Sequence, residues 1–226
     1  MIRAIIFDFD GTLIDSTRSG MIRHQQVAQE IGLKVPSIEQ MRIHQGEQWP
    51  EVFLNSVAKE AGWSLQDLER FIQVYLTNYH ALKYSAFDGA IETLAQLKKQ
   101  TILLAILSTR DKKTLISKLK LAGYDLELFC YIQAKEDSRF DKSDRRVWEK
   151  CIEAIKKIKW VNYDEILAVG DTVKYDFLPA KNHIPQINFV GVTSGTATKE
   201  EFLAAGLEEK LIISSVADLP LVLKLF

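Results

Sequence analysis

The chain has 226 residues, of which 47% are hydrophobic and 26% are charged, and its 29 basic residues nearly balance 30 acidic ones. This composition is ordinary for a folded globular protein and excludes a disordered or collagen-like chain. The balanced charge argues against a nucleic-acid-binding protein, which would normally carry a basic stripe or a strongly basic domain.

The cysteines and the hydropathy of the chain exclude further classes of protein. Cys130 and Cys151 stand outside any Cys-x-x-Cys or Cys/His cluster, which disfavours a disulfide scaffold and a structural zinc site. No apolar run approaches the ~18 residues that span a bilayer. The chain also reaches Asp8 too early for the apolar core of a signal peptide. We therefore expect a cytoplasmic protein that binds neither membrane nor nucleic acid.

Four short apolar runs along the chain are typical of buried strands. Each run is continuous rather than alternating, which indicates cover on both faces, as in a parallel sheet. The runs span residues 2–7, 102–107, 166–169 and 187–192. Helical patterns lie between them, and one begins at the capping box Thr198-x-x-Glu201. Strands that alternate with helices predict an α/β fold built on a doubly wound parallel sheet.

Residues 15–85 break this alternation, because they carry helical patterns alone. One of these helices is predicted to begin at the capping box Ser37-x-x-Gln40. A stretch of helix this long, inserted after the first strand, predicts a separate all-helical domain. We therefore expect a core of residues 1–14 and 86–226 and a helical domain of residues 15–85.

Polar side chains follow the predicted strands at the point where each strand ends. Asp8 and Asp10 follow the first strand, Ser108 follows the second, and Asp171 follows the third, while Lys142 precedes a helix. Because ligands of open α/β sheets bind beyond the carboxyl ends of the strands, we expect these groups to converge on one crevice. Carboxylates gathered there repel each other unless a cation intervenes, and oxygen ligands favour a hard ion such as Mg²⁺.

The same residues carry a resemblance to a known family. Residues 8–13 read Asp-Phe-Asp-Gly-Thr-Leu, which resembles the first motif of the haloacid dehalogenase-like superfamily in its Asp-x-Asp phosphatase form. Segments 106–109, 142–143 and 169–172 resemble the second, third and fourth motifs, in that order along the chain. The resemblance covers essentially the whole chain. It implies a phosphoric monoester hydrolase of the phosphoglycolate phosphatase-like branch.

The resemblance implies a catalytic role for three residues. Asp8 would be the nucleophile that forms an aspartyl-phosphate. Asp10 would protonate the leaving alcohol and then deprotonate the hydrolytic water. Lys142 would neutralise negative charge between Asp8 and the phosphoryl group.

The resemblance also implies binding roles in the first two motifs. Gly11 would let backbone N–H groups approach the phosphate oxygens. Ser108 would donate its hydroxyl to a phosphoryl oxygen, with the backbone N–H of Thr109 beside it. Arg110, the next residue, could contact a phosphate of the substrate or lie on the solvated start of its helix, and we favour the second interpretation.

Magnesium binding is implied for three of the aspartates. The carboxylates of Asp8 and Asp171 and the backbone carbonyl of Asp10 would hold Mg²⁺. Asp176 would orient a metal-bound water or Lys142, or else cap a helix. It lies five residues after Asp171, whereas the commoner spacing of the fourth motif is four.

The third motif departs from the pattern, since Ser143 follows Lys142 where the superfamily often has proline. We expect Ser143 to act as the N-cap of the helix that follows, which would leave Lys142 in its place.

The helical insertion resembles the alpha-helical cap of the superfamily's first cap type. Such caps close over the site, exclude water and contact the leaving group. Residues 44–49 match the position of the cap loop that faces the substrate. Arg18, Arg23 and His24 lie on the first helix of the insertion, from which they could also reach the cleft.

These observations predict a Mg²⁺-dependent phosphatase that acts on a small phosphorylated metabolite, as a monomer or a homodimer. One alternative is a phosphosugar mutase, although the basic and hydroxyl-rich cap signature of such enzymes is not matched here. Another is a non-catalytic phosphate-binding regulatory module on the same fold. Retention of Asp8, Asp10, Lys142 and Asp171 argues against that module, because a silent site has no need of all four.

Overall fold

A computed structural model describes residues 1–44, 51–78 and 84–226 of the chain. The chain divides into two compact units, one formed by residues 1–15 and 84–226 and the other by residues 16–83. Residues 45–49, which form most of the expected substrate-facing loop, lie outside the described residues.

The first unit contains six strands and six α-helices among the described residues. The strands are β1 (Ala4–Phe7), β2 (Leu103–Leu107), β3 (Tyr131–Gln133), β4 (Ile166–Gly170), β5 (Asn188–Val192) and β6 (Ile212–Ile213). The helices are α5 (Ala90–Lys99), α6 (Lys112–Leu121), α7 (Arg145–Ile158), α8 (Leu178–His183), α9 (Lys199–Ala204) and α10 (Leu219–Val222).

The six strands form one parallel sheet in the order β3-β2-β1-β4-β5-β6. β1 lies in the middle, with Phe7 opposite Ile106 on one side and Val169 on the other. This is the strand order of a doubly wound sheet, so the predicted α/β class is confirmed. The edge strands β3 and β6 were not predicted, because runs of three and two residues are too short to give a periodic signal.

The sheet separates two hydrophobic clusters, one on each face. In β1, Ile5 and Phe7 belong to the cluster that contains α5 and α6, while Ala4 and Ile6 belong to the cluster that contains α7. Because both faces are covered, every position of the strand is buried, which explains its continuous apolar run.

The start of α7 corrects one expectation, because Asp144 and not Ser143 is its N-cap. Asp144 has extended backbone angles, and its side chain accepts a hydrogen bond from the N–H of Arg146 at 2.9 Å. Ser143 instead donates its backbone N–H to Asp141 Oδ1 at 2.8 Å, which closes a turn one residue earlier. Two adjacent residues that both favour the N-cap cannot be separated by sequence pattern alone.

The second unit is helical. Its helices are α1 (Thr17–Glu30), α2 (Ile38–Ile43), α3 (Glu51–Ala61) and α4 (Leu65–Asn78). The predicted capping box of α2 is present, with reciprocal hydrogen bonds between Ser37 and Gln40. A separate apolar cluster that includes Met41, Leu54 and Phe71 forms the core of this unit. None of the described helices in the chain combines the length and apolarity that crossing a membrane requires.

Candidate active site

Asp8 is placed by the central strand of the sheet. Its backbone N–H still donates to Val169 O at 2.8 Å, so the residue continues the pairing of β1 with β4. The chain then turns sharply: Gly11 has φ of +80° and donates its N–H to Ile14 O at 2.9 Å. Glycine adopts this left-handed conformation without steric cost, so the turn directly after the two aspartates requires Gly11.

Lys142 joins the first and fourth motifs through a buried ion-pair network. Its Nζ donates to Asp8 Oδ1 and, at 2.8 Å, to Asp176 Oδ1. The Lys142 side chain is only 4% exposed and that of Asp8 only 13%. Trp148 on α7 donates its indole N–H to Lys142 O at 2.8 Å, which fixes the backbone that carries the lysine. The structure thus brings together the predicted nucleophile and the predicted lysine.

Burial and crowding shift the pKa values of this network. Burial raises the pKa of Asp8 from 3.8 to about 7, although Lys142 opposes the shift. Burial also raises the pKa of Asp171 well above its usual range, and the charges of Asp8 and Asp176 add to that shift. Burial alone would lower the pKa of Lys142, but the carboxylates of Asp176 and Asp8 raise it above its ordinary value. The lysine is therefore charged, and it alone does not offset the surrounding carboxylates.

Asp171 is held by the loop that follows β5. One oxygen, Oδ2, accepts the backbone N–H of Thr196 at 2.7 Å, and Ala197 donates its N–H to Asp171 O at 2.8 Å. Thr12 Oγ1 lies 3.5 Å from the other oxygen, Oδ1. A Cβ at position 195 would overlap the Asp171 side chain, so any other residue there would displace the loop or the carboxylate. Thr12 and Thr196 were not predicted as site residues, since their contacts with Asp171 cross more than twenty residues of sequence.

Asp176 uses both carboxylate oxygens inside the protein. Oδ1 accepts from Lys142, while Oδ2 accepts from the backbone N–H of Thr172 at 3.1 Å and from the Thr172 hydroxyl. Asp176 lies within a helical turn rather than at its N-cap. Of the two interpretations that the sequence allowed, the contacts favour orientation of Lys142.

Three carboxylates converge at this edge of the sheet. One oxygen each from Asp8, Asp171 and Asp176 lies within 4.8 Å of the other two. Three carboxylates stand against one lysine ammonium, which leaves uncompensated negative charge in this buried cluster. Oxygen donors with excess negative charge fit a hard divalent cation such as Mg²⁺. Asp176 accepts hydrogen bonds from Lys142 and Thr172 on its two oxygens, whereas the contact of Asp171 Oδ1 with Thr12 is long, at 3.5 Å. Asp8 and Asp171 are therefore the better candidates to bind the ion.

The end of β2 places the second motif beside the first. Ser108 is buried and donates its backbone N–H to Gln133 O at 3.0 Å, which continues the pairing with β3. Its Oγ accepts the backbone N–H of Arg110 at 3.1 Å, so the hydroxyl also shapes the turn. Thr109 is exposed. Since β2 neighbours β1, both residues follow the strand ends at the edge of the sheet that carries Asp8.

Arg110 is not on the solvated start of its helix, which corrects the expectation from the sequence. Its Nε donates to Asp10 Oδ2 at 2.9 Å and its Nη2 to Asp10 Oδ1 at 2.6 Å. This bidentate ion pair joins the residue that follows the second motif to Asp10 of the first motif. The two residues are one hundred positions apart in the sequence, so no local pattern could have indicated the contact.

The sequence left open whether two histidines of the helical unit, His24 and His44, lie near the substrate. His24 is 6% exposed, and its ring stacks on Tyr75 and Phe71 at centroid distances of 4.6 and 5.7 Å, so it packs inside its own unit instead of reaching a cleft. His44 contacts Glu60, with Nε2 2.9 Å from Oε1.

The chain is similar to known proteins over most of its length. The profile of the family described as haloacid dehalogenase-like hydrolase matches residues 5–192. The chain is 25% identical over 235 residues to a phosphoglycolate phosphatase of Vibrio parahaemolyticus. The alignment covers 96% of this chain and 97% of that protein. It is also 28% identical over 155 residues to pyrophosphatase PpaX of Halalkalibacterium halodurans. That alignment covers 67% of each protein.

Solved structures share the fold. A chain from Thermotoga maritima, provisionally assigned as a beta-phosphoglucomutase, superposes with a TM-score of 0.73 at 21% identity and covers 99% of both chains. At that identity the likeness supports the fold alone. The family match spans most of the sequence, includes all four motifs and confirms the expected membership. The chain belongs to the haloacid dehalogenase-like hydrolases.

Proposed function

We propose that the protein is a Mg²⁺-dependent phosphatase that hydrolyses a small phosphorylated metabolite through an aspartyl-phosphate on Asp8. The observation that carries the proposal is the buried network in which Lys142 bridges Asp8 and Asp176, with the Asp171 carboxylate beside it. A nucleophile, a fixed positive charge and a set of oxygen ligands in one pocket are the components that phosphoryl transfer requires.

In the first step an oxygen of Asp8 attacks the phosphorus atom of the substrate. The new bond forms while the bond from phosphorus to the leaving alcohol oxygen breaks, and Asp10 gives its proton to that oxygen. Lys142 neutralises the negative charge that builds up between Asp8 and the phosphoryl oxygens. Ser108 and the backbone N–H groups near Gly11 and Thr109 orient the phosphoryl group.

In the second step water hydrolyses the aspartyl-phosphate. Asp10, now a carboxylate, takes a proton from the water, whose oxygen bonds to phosphorus as the bond to Asp8 breaks. Inorganic phosphate leaves, Asp8 returns to a carboxylate, and Asp10 holds the proton for the next cycle.

The Asp8 and Asp171 carboxylates, with the backbone carbonyl of Asp10, would hold Mg²⁺. The bound ion supplies positive charge that offsets the carboxylate repulsion and polarises the phosphoryl group. The raised pKa values of Asp8 and Asp171 support this assignment, because they indicate that the protein alone does not compensate these charges. Asp176 would orient Lys142 through its hydrogen bond, without binding the ion itself.

The relatives support phosphatase chemistry without naming the substrate. A phosphoglycolate phosphatase and a pyrophosphatase are among the similar proteins. The first name describes hydrolysis of a phosphate ester and the second hydrolysis of a phosphate anhydride, so both describe the release of phosphate to water. Within the hydrolase family, this supports the predicted phosphoric monoester hydrolase. The assignment of residues 15–85 as a cap domain stays a prediction.

The second candidate is a phosphosugar mutase, which the Thermotoga maritima fold neighbour keeps in consideration. A mutase would return the phosphoryl group to a sugar instead of releasing it to water. Incubation with sugar phosphates separates the two, since a phosphatase accumulates inorganic phosphate whereas a mutase accumulates an isomer.

The direct test is phosphate release from a panel of phosphorylated metabolites, with and without Mg²⁺, for the wild type and Asp8→Asn. We expect release that requires Mg²⁺ and falls by at least about a thousandfold in Asp8→Asn, because the amide is a poor nucleophile. Asp164→Asn is the matched control, since Asp164 is exposed and remote from the network. Release that survives in purified Asp8→Asn would contradict the assignment of the nucleophile.

A further inference from the structure

Arg110 and Asp10 form a contact that the two catalytic steps leave without a role. The guanidinium uses its Nε and Nη2 to donate one hydrogen bond to each oxygen of the carboxylate, at 2.9 and 2.6 Å. Such paired hydrogen bonds fix the plane of a carboxylate as well as its position, which a single contact cannot do.

The backbone of Arg110 is itself anchored on both sides. Its N–H donates to Ser108 Oγ at 3.1 Å, and its carbonyl accepts from Lys135 N at 2.9 Å. The guanidinium is therefore supported by the turn that also carries the proposed phosphate-binding hydroxyl. A rigid support of this kind is what a side chain needs in order to orient another.

The pairing does not enclose Asp10. The bidentate arginine uses one lone pair on each oxygen of the carboxylate. The Asp10 and Arg110 side chains are also 30% and 28% exposed, so a ligand can approach them from solvent. Arg110 thus restrains Asp10 without shielding it.

We propose that Arg110 is a positioning residue for Asp10, which holds the carboxyl group in the orientation for proton transfer to the leaving oxygen. The proposal rests on the proposed function, because it requires Asp10 to be the general acid. Because Asp10 also serves as the base in the second step, the effect of Arg110 that depends on the substrate falls on the first step, the departure of an alcohol that needs a proton. The ratio kcat/KM reports that step apart from hydrolysis of the phosphoenzyme.

The test uses two substrates that differ in this need. An alkyl phosphate has a basic leaving oxygen that must be protonated, whereas the nitrophenolate of p-nitrophenyl phosphate leaves without help. We expect Arg110→Gln to lower kcat/KM about 10- to 100-fold on the alkyl phosphate and less than about threefold on p-nitrophenyl phosphate. Arg110→Lys, which keeps the charge but cannot make two parallel hydrogen bonds, should show the same selectivity with a smaller loss.

Arg146→Gln is the matched control. Arg146 makes the same bidentate contact with Asp144, at 2.9 and 2.6 Å, but on the surface at the start of α7. We expect its kcat to match the wild type on both substrates. Thermal unfolding of each variant verifies that the fold is retained.

A double-mutant cycle with Asp10→Asn isolates the mechanism. If Arg110 acts through Asp10, Arg110→Gln causes no further selective loss when Asp10 is already asparagine. Equal losses of kcat/KM on both substrates, unchanged kcat/KM, or a selective loss that persists in the Asp10→Asn background would overturn the inference. If Asp10→Asn lowers the activity equally on both substrates, Asp10 is not the general acid. In that case the proposed function fails, and the result is distinguished from a failure of the role of Arg110 alone.

Discussion

A single lysine organises the charged residues of this site. Lys142 contacts Asp8 and Asp176 at once, and its own backbone is held by Trp148. The sequence predicted that Asp8 and Lys142 would meet, because the motif order of the family implies it. The sequence did not predict the Asp10–Arg110 pair, since the arginine has no counterpart among the motifs. Side-chain contacts across one hundred residues depend on the completed sheet rather than on local pattern.

His24 is the residue whose burial has the clearest consequence for stability. Its Nδ1 donates to Gly20 O at 2.7 Å, its Nε2 has no hydrogen-bond partner among the described residues, and burial lowers its pKa from 6.5 to about 4. The unfolded chain therefore takes up this proton at a higher pH than the folded chain does. Stability from neutral His24 is full above pH 6.5 and is lost as the pH falls towards 4.

We expect the free energy of unfolding to fall by about 2 kcal/mol from this group between pH 7.5 and pH 5. Denaturant unfolding of the full chain at the two pH values measures it. His24→Phe keeps an aromatic ring in the stack and removes the titration, so its loss of stability should be smaller by that amount. His183→Gln is the control and should follow the wild type. An identical pH dependence in His24→Phe and the wild type would contradict this explanation.

At the scale of elements, local pattern predicted the carboxyl ends of four strands and two of the helix starts. The runs that end at residues 7, 107, 169 and 192 agree with β1, β2, β4 and β5 to within one residue. The capping boxes Ser37–Gln40 and Thr198–Glu201 form as predicted, because each depends on residues three positions apart. The start of α7 differs by one residue because Asp144 competes with Ser143. The loop after β5 contacts Asp171 through Thr196, an arrangement that only the assembled sheet determines.

The loop that follows β5 leads to a testable prediction about magnesium binding. In Gly195→Ala the added Cβ would overlap the Asp171 carboxylate, so either the loop or the carboxylate must move. We expect the Mg²⁺ concentration for half-maximal activity to rise by about tenfold or more, as happens when the partners of a metal ligand are disturbed. A magnesium titration of phosphate release measures the shift.

Gly206→Ala is the control, because Gly206 has φ of +90° at the end of α9. It should lower stability by about 1 kcal/mol and leave the magnesium dependence unchanged. If Gly195→Ala shows the wild-type magnesium dependence, the loop does not support Asp171 in the way proposed.

At the scale of the whole molecule, the continuous apolar runs predicted a parallel sheet covered on both faces, and the two hydrophobic clusters agree. The position of each strand in the order β3-β2-β1-β4-β5-β6 could not be read from the runs, because neighbours in the sheet are distant in sequence. The order places β1 between β2 and β4, which is why residues from three motifs meet at one edge. Function thus follows from topology as much as from the motifs.

The central claim is that Asp8 carries the phosphoryl group during turnover. The most direct measurement is mass spectrometry of the protein quenched in acid during reaction with a slowly hydrolysed substrate and Mg²⁺, followed by peptide mapping. We predict a mass increase of one phosphoryl group on the peptide that contains Asp8, and none in Asp8→Asn. A phosphoryl group on another residue, or rapid turnover with no phosphorylated protein under conditions that trap acyl phosphates, would contradict the account.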